Sequence, residues 1–482
     1  MFNRKELRLF FKKTVTVDFH GRKLKVWHRW YWVVQPLLVG LPYSLYYNKF
    51  SIHGWENVPD GKPVIFAVSH RNAFMDALAF ANTKNTQIWQ LARGDAWKGK
   101  FLSATFSFFH MLPLWREHDG VDTKSMNEPT FQACYDLLSK NAMVAIYPEG
   151  NCINEEHIRP LKKGICRIAF GAEEKYNYDL DIQIIPVGIS YTGAEKFKKW
   201  QLINFGKPIS LQKYIVHYKQ NPASGINILK EDIEKWMRDT VVHIKKSEHQ
   251  KEIEQIANMV ARYEIISQHI KYEPVSKLYG EKKVVAKLEA YKHDDPEGMK
   301  QLVINFHEYQ DELKKYNFRE NTFDKQKHHP LSMIFMLLYF ILFLPVFIYG
   351  VLINSIPYII PQKFVEKKIK QKIFWSSIKY MIGLFLFPIW YLILSVFVYK
   401  VLGSVLSAFI FFLSFPIAGN IAFYYWYDLK KWWSVMRYKN MNKTDRAKLD
   451  LMREKILDQV VSPQSHTLSG DVNIASLQTP TP

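Results

Sequence analysis

The sequence predicts an α/β domain, then a helical extension, then a membrane-embedded C-terminal region. Three observations carry this reading. Apolar strand-like runs alternate with helical segments from Ser51 to Pro208, charged and helically periodic sequence fills Leu211 to Lys327, and three charge-free apolar stretches lie between Pro330 and Tyr427. At 482 residues the chain exceeds one ordinary domain, and its 48% apolar content excludes disorder as the main state. Three cysteines without CxxC spacing exclude a disulfide scaffold and a thiolate zinc site, and point to a reducing, cytosol-facing compartment. The formal charge of +20 fits either nucleic acid or an anionic membrane surface.

The elements follow in order. Residues 1–50 read as a membrane anchor: Met1–Val17 is basic and amphipathic, without a signal-peptide core or cleavage site. Trp27–Tyr47 is apolar, with three Trp, four Tyr and prolines at 36 and 42, which suits a helix lying at headgroup level. Its alternative is a helix packed on the soluble domain. In residues 51–210, PVIFAVSH (63–70) is a buried strand bounded by the turn PDGK, and Asn72 is placed to cap the helix that follows. TQIWQLA, MLPLWR, NAMVAIYPEG and IQIIPVGISY are further strands, and WKGKFLSATFSFF, PTFQACYDLLSK and LKKGICRIAFGAEEKYN are helices between them. This alternation implies a sheet with helices on its faces and active-site loops at the strand ends.

Residues 211–329 form the helical extension, residues 428–460 a cytosolic helix, and the Ser/Thr/Pro-rich residues 461–482 a disordered tail. Within 330–427, Pro330–Gln362, Tyr380–Tyr399 and Val401–Tyr427 are each long enough to cross a bilayer. Three full crossings would put the loop Lys363–Lys379 and the C-terminal Lys430, Lys431, Arg437 and Lys439 across the membrane from the N-terminal domain. That inverts the usual excess of positive charge on the cytosolic side. A re-entrant hairpin at Pro330–Gln362, broken near Pro345, followed by two spans, is therefore preferred to three spans.

The residues able to do chemistry begin with His70, at the end of a strand, and Asp76, in the following helix. A carboxylate beside an imidazole fixes its tautomer and stabilises the imidazolium formed when a hydroxyl proton is taken. Sixteen histidines make one such pair expected by chance, so order and context decide. Arg116 follows the strand MLPLW, YPEGN (147–151) closes the next strand, Arg159, Lys162 and Lys163 follow, and IPVGIS (185–190) closes another. His328 and His329 lack a third ligand nearby, so no metal site is expected.

These four blocks, VSHRNAFMD, LPLWR, YPEGN and IIPVGIS, resemble in order the motifs of the glycerophospholipid acyltransferase family (the lysophospholipid and glycerol-3-phosphate acyltransferases). The resemblance covers roughly residues 50–210, and INFGKPI (203–209) is similar to the strand and turn that follow the fourth block. The family usually separates its His and Asp by four residues, whereas five lie between His70 and Asp76. The extra residue falls in the strand-to-helix loop.

The resemblance implies an α/β acyltransferase domain with a mixed sheet and helices on both faces, joined to the helical extension and C-terminal transmembrane helices. It implies His70 as general base with Asp76 orienting it. Arg116, Arg159 and, less directly, Lys162 would meet an acceptor phosphate, and Glu149 and Gly150 would shape the acceptor site. The donor would be acyl-CoA or acyl-carrier-protein, the acceptor glycerol-3-phosphate or 1-acylglycerol-3-phosphate, and no cofactor or metal would be needed. Partners would then be the bilayer, the donor and the glycerophosphate acceptor, with no nucleic acid and the catalytic domain on the cytosolic face. Two alternatives stay open: remodelling of a lysophospholipid with a larger headgroup, and a non-catalytic membrane-tethering protein.

Overall fold

The computed structural model describes residues 15–19, 21–83, 87–97, 99–116, 119–324 and 330–461. The basic segment 1–14, His328 and His329, and the tail beyond Val461 lie outside the described residues. The chain divides into two compact units, residues 1–243 with 372–377, and residues 244–371 with 378–482.

The first unit opens with the hairpin β1 (Thr16–Phe19) and β2 (Arg22–Lys25) and the helices α1 (Tyr31–Gln35) and α2 (Leu41–Tyr46), joined by a π-helical turn at Pro36–Gly40. The main sheet contains β3 (Lys49–His53), β4 (Val64–Val68), β5 (Ile88–Arg93), β6 (Met111–Leu114), β7 (Met143–Ile146), β8 (Gln183–Tyr191), β9 (Trp200–Phe205) and β10 (Ile209–Ser210). Its order is β3-β9-β8-β4-β7-β5-β6, with β10 on β8. The run from β8 through β4, β7 and β5 to β6 is parallel, whereas β9 and β10 are antiparallel to β8. The sheet is therefore mixed. The connecting helices are α3 (Phe74–Ala81), α4 (Lys100–Phe108), α5 (Thr123–Leu138) and α6 (Gly164–Lys175).

Burial on both faces explains why β4 is a continuous apolar run rather than an alternating one. Ile65 and Ala67 join the large core with α5 and α6 residues such as Leu137 and Ile165. On the opposite face Phe66 meets Phe80 of α3 and Phe205 of β9, with ring centres 5.4 and 5.6 Å apart. That large core does not stop at residue 210. Leu229, Ile233 and Met237, spaced four apart on α8 (Pro222–Thr240), are fully buried in it, beside Leu211 and Tyr214 at and after the start of α7 (Gln212–Gln220). The N-terminal stretch of the first unit consequently runs to His243, past the boundary expected from the loss of strand patterning, because an amphipathic helix can complete an α/β core without changing the periodicity that marks it as helical.

The segment expected as an interfacial anchor has two apolar faces. Tyr31, Trp32, Val39, Tyr43 and Tyr46 are buried against the domain, while Trp30, Val33, Leu37, Leu38, Leu41 and Leu45 are exposed. The packed reading describes the buried face, and the exposed face is apolar.

The second unit holds α9 (Gln250–Ser267), α10 (Pro274–Asp294), α11 (Pro296–Lys315), α12 (Pro330–Lys368), most of α13 (Trp375–Leu402), α14 (Val405–Lys439) and α15 (Lys443–Val461). Helices α12, α13 and α14 are long and apolar enough to cross a membrane. The hairpin expected near Pro345 is not there. Helix α12 runs unbroken through Pro345, Pro357 and Pro361, since an internal proline removes one hydrogen bond and kinks a helix without having to reverse it.

Helices α12 and α14 run antiparallel. Phe340 accepts a hydrogen bond from the Tyr425 hydroxyl at 2.9 Å, and further along α12 Asn354 donates to the carbonyl of Phe415, earlier on α14, at 3.1 Å. Gly350 lies against the Ala418 backbone so closely that a Cβ would sit 2.3 Å from its carbonyl oxygen, a small-residue contact of the kind that seats membrane helices. Since α13 connects the end of α12 to the start of α14, it starts and finishes at the same end of this pair. Three consecutive full crossings would instead make α12 and α14 parallel.

Candidate active site

The parallel strands β4, β5, β6 and β7 all end on one edge of the sheet, which is where loops carrying ligands gather in α/β folds. His70 follows β4, and Tyr147–Gly150 follows the adjacent β7. Strand β8 pairs Val187 with Val68 and then runs four residues further, bringing Tyr191 to the same edge.

His70 Nδ1 lies 2.8 Å from Asp76 Oδ2. The same oxygen accepts the backbone N–H groups of Arg71 and Asn72, each at 2.8 Å, and Oδ1 accepts the Tyr191 hydroxyl at 2.5 Å. Asp76 is fully buried and has four donors, so its charge is compensated by hydrogen bonds rather than by water. A carboxylate can only accept from Nδ1, which puts the imidazole proton there and leaves the Nε2 lone pair as the base. The His70 side chain is 22% exposed, and Nε2 carries no hydrogen bond from the described residues. The ring packs on Tyr147, with ring centres 4.6 Å apart.

The cap expected from Asn72 is not formed. Asp76, in the first turn of α3, reaches back to the N–H groups before the helix, while Asn72 Nδ2 donates to the Ala194 carbonyl at 2.9 Å. The carboxylate thereby ties the loop that precedes the helix, and no side chain among the described residues caps the helix itself. The turn is tight enough to force Ala73 to φ 43° and ψ −127°, outside the regions comfortable for a residue with a Cβ.

Glu149 holds the two motifs together. Its Oε1 accepts the His70 backbone N–H at 3.0 Å, and its Oε2 accepts Arg159 Nε at 2.8 Å. Arg159 also donates to the Asn151 side chain, to the Asn151 carbonyl at 2.7 Å and to the His70 carbonyl at 3.4 Å. Gly150 has φ 75°, and a Cβ there would stand 3.2 Å from Lys162 Cγ, so the turn favours glycine on both counts. Lys162 and Lys163 are exposed. Arg116 faces Asp119, with Nη2 2.9 Å from Oδ1. Thus the expected site residues His70, Asp76, Glu149 and Arg159 form one hydrogen-bonded cluster, whereas Arg116 is held by its own local carboxylate.

Sequence reasoning missed six participants. Tyr191 is described above, and Arg71 pairs with Glu156 at 2.5 Å beneath the same loop. Gln201 donates through Nε2 to the Tyr191 oxygen at 2.8 Å, and Tyr43 donates to Gln201 Oε1. Cys152 accepts the Ala73 N–H at 2.9 Å, and burial followed by the nearby Asp76 charge pushes its thiol far upward, so it stays protonated. His70, Asp76 and Cys152 offer ligand atoms within 4.8 Å of one another, a spacing that could hold a metal ion. The donors disfavour one: four hydrogens already point at the carboxylate, and the thiol resists the ionisation a metal needs.

Residues 49–190 match the family model described as Acyltransferase. Glycerol-3-phosphate O-acyltransferase 1 of Saccharomyces cerevisiae is 30% identical over 101 residues, which are 21% of this chain and 13% of that protein. Glycerol-3-phosphate O-acyltransferase 2 of the same organism is 30% identical over 108 residues, 22% of this chain and 14% of that one. The matched segment is thus a small fraction of each relative. Among solved structures, the 1-acyl-sn-glycerophosphate (LPA) acyltransferase PlsC from Thermotoga maritima aligns at 14% identity and a TM-score of 0.32, covering 44% of this chain and 78% of that one. The sheet edge that carries His70, Asp76 and Glu149 lies inside the matched segment, and this chain therefore carries a domain of the acyltransferase family at residues 49–190.

Proposed function

We propose that the chain transfers a fatty acyl group from acyl-CoA or acyl-carrier-protein to a hydroxyl of glycerol-3-phosphate or 1-acylglycerol-3-phosphate at a membrane surface. The observation that carries this reading is the His70 imidazole, fixed through Nδ1 by a buried, fully hydrogen-bonded carboxylate and open at Nε2. Nε2 removes the acceptor hydroxyl proton as its oxygen attacks the thioester carbonyl. The tetrahedral intermediate expels the thiolate, which takes the proton back from the imidazolium. Asp76 stabilises that imidazolium between the two steps. A thioester is already activated, so the domain supplies a base and proximity rather than a covalent intermediate. The protonated thiol of Cys152 is in keeping with this.

An acceptor phosphate needs cations. Of the Arg116 guanidinium, Nε and Nη2 face Asp119, which leaves Nη1 to reach a ligand. Arg159 spends its donors on Glu149, Asn151 and His70, so it builds the loop, and the exposed Lys162 is the alternative cation in that motif. The exposed apolar face between Trp30 and Leu45 is suited to a lipid surface. The positive excess would hold this face on the anionic cytosolic leaflet.

The test is an acceptor panel in purified membranes with labelled acyl-CoA and acyl-carrier-protein donors, run on wild type and His70→Ala. Incorporation into phosphate acceptors by wild type, lost in a His70→Ala protein that still reaches the membrane, is expected. Undiminished transfer by His70→Ala would remove the mechanism. Incorporation only into an acceptor without a phosphate monoester would remove the substrate assignment.

A further inference from the structure

Behind the dyad lies a buried chain of polar side chains that general-base catalysis does not itself require. Tyr191 ends β8, and the antiparallel register sets Gln201 of β9 directly opposite it. Tyr43 lies on α2, above Phe50 of β3, with ring centres 5.7 Å apart. The hydrogen-bond directions are fixed from the carboxylate outward. Asp76 can only accept, so Tyr191 must donate to it. The Tyr191 oxygen then accepts from Gln201 Nε2, which turns Gln201 Oε1 toward Tyr43, and the Tyr43 hydroxyl donates to it. Every donor in the chain points toward Asp76. Asp76, Gln201 and Tyr43 are at most 1% exposed and Tyr191 is 7% exposed, so water does not substitute for a lost member.

Resting on the acyl-transfer reading above, we propose that Tyr191, Gln201 and Tyr43 are positioning residues for the catalytic base, and that they tie it to helix α2, the helix whose outer face exposes Leu41 and Leu45. A core that needed only volume here would be served by Phe and Leu, without the cost of burying three polar side chains. The polar chain instead holds Oδ1 of the carboxylate from behind, while His70, Arg71 and Asn72 hold Oδ2 from in front. Rotation of the carboxylate away from His70 would break four hydrogen bonds at once. The Tyr43 hydroxyl also lies 3.3 Å from the carbonyl of Met75, the residue before Asp76, so α2 touches the dyad's helix directly and reaches its carboxylate through Gln201 and Tyr191.

The ionisable groups facing Asp76 come from four elements: Tyr47 at the end of α2, Tyr147 after β7, Cys152 in the loop beyond it, and Tyr191 on β8. Burial and the Asp76 charge push all four upward, so none titrates in an ordinary assay range. His70 is left as the group through which a change at Asp76 is read.

The test compares wild type, Tyr191→Phe, Tyr43→Phe, the double variant and His70→Ala. Tyr191→Phe is expected to lower kcat about tenfold while the acceptor KM moves less than about twofold, the mark of a group acting on the chemical step. The acidic limb of its kcat/KM profile moves to higher pH, because a carboxylate one donor poorer holds the imidazolium proton harder. Tyr43→Phe is expected to lower kcat by about threefold, and the double variant to be no worse than Tyr191→Phe alone, since the two act through one chain. Peptide-resolved modification of His70 by diethyl pyrocarbonate, followed against pH, reads the same shift without any turnover. A Tyr191→Phe protein with an unshifted modification midpoint overturns the proposal, and so does one whose only change is a lower Tm. Absence of transfer by wild type overturns the acyltransferase reading alone, because the modification midpoint still decides whether Tyr191 acts on His70.

Discussion

Glu149 Oε1 accepts the backbone N–H of His70 at 3.0 Å, so the turn after β7 fixes the main chain of the residue that follows β4. The neighbouring strands are parallel, and their loops leave the sheet side by side. One buried carboxylate can therefore clamp both loops, with Arg159 closing the other side.

Glu149→Ala leaves the Arg159 guanidinium unpaired in a site where both side chains are largely buried, and leaves a backbone donor unsatisfied. Breaking a buried pair in this way costs about 3–5 kcal/mol. The expected result is a clear drop in Tm together with loss of transfer. Glu149→Gln keeps an acceptor for His70 and should fall between the two. A Glu149→Ala protein with wild-type Tm would refute the clamp.

The two arginines should separate in steady-state kinetics. Arg116→Ala removes a cation from the sheet edge without opening the loop clamp, so the KM for a phosphate acceptor should rise about tenfold with kcat little changed. Arg159→Ala dismantles the loop around Asn151 and should lower kcat and Tm together. An Arg116→Ala variant with unaltered acceptor KM would take that residue out of the binding site.

The strands, the helices between them and the dyad were legible because each rests on local pattern. β4 is an apolar run closed by turn residues, and His70 and Asp76 are six positions apart on a strand end and a helix start. Tyr191, Gln201 and Tyr43 were not legible, because the contact of Tyr191 with Gln201 depends on the β8–β9 register and that of Tyr43 on the packing of α2. The partners of Arg116 and Arg159 were hidden for a related reason. A guanidinium in a motif reads the same whether it faces phosphate or a nearby carboxylate, and only the fold shows Glu149 turned toward Arg159. The course of α12 was misread at Pro345, since a proline's tendency to end helices is a rule for water, where freed carbonyls can be solvated.

Ala73 should be better replaced by glycine than by any larger residue. At φ 43° its Cβ is strained, and strain of this kind costs about 1–3 kcal/mol. Ala73→Gly is expected to keep activity with an unchanged or higher Tm, and Ala73→Val to lose both through its branched Cβ. Equal damage from both substitutions would mean that the turn carries no strain.

His110 gives the first unit an acid sensitivity. Its ring is buried between Trp89 and Tyr31, Nδ1 has no hydrogen-bond partner among the described residues, and burial pushes its pKa down to about 3. The unfolded chain takes up this proton below about pH 6.5 and the folded protein does not, so stability is complete above 6.5 and falls as pH drops toward 3. Between pH 6.5 and 4.5 this group alone accounts for about 2 kcal/mol. His110→Asn keeps a residue tolerant of the positive φ at this position and should flatten that part of the Tm–pH curve relative to wild type. Parallel curves for the two proteins would show that the histidine is not the sensor.

The antiparallel pairing of α12 with α14 makes a prediction about the membrane that charge counting alone does not. If both cross the bilayer, the end of α12 and the start of α14 emerge on one side, and α13 begins and ends on that side without a full crossing. Lys379 on α13 donates to Gln362 of α12, and Trp390 donates to the carbonyl of Ile353, so α13 approaches the middle of α12. Pro388 lies one turn before the network of Tyr391 and Asn354, inside a helix that stays continuous from Trp375 to Leu402. Accessibility reporters at 369–372 and at 403–404 should then report the same side, whereas three full crossings require opposite sides. Asn354→Leu removes the polar contact that holds α13 and α14 to α12 and should destabilise the bundle by about 1–2 kcal/mol without moving either reporter. Reporters on opposite sides would mean that α13 spans, and the packing of α12 against α14 would have to be abandoned with it.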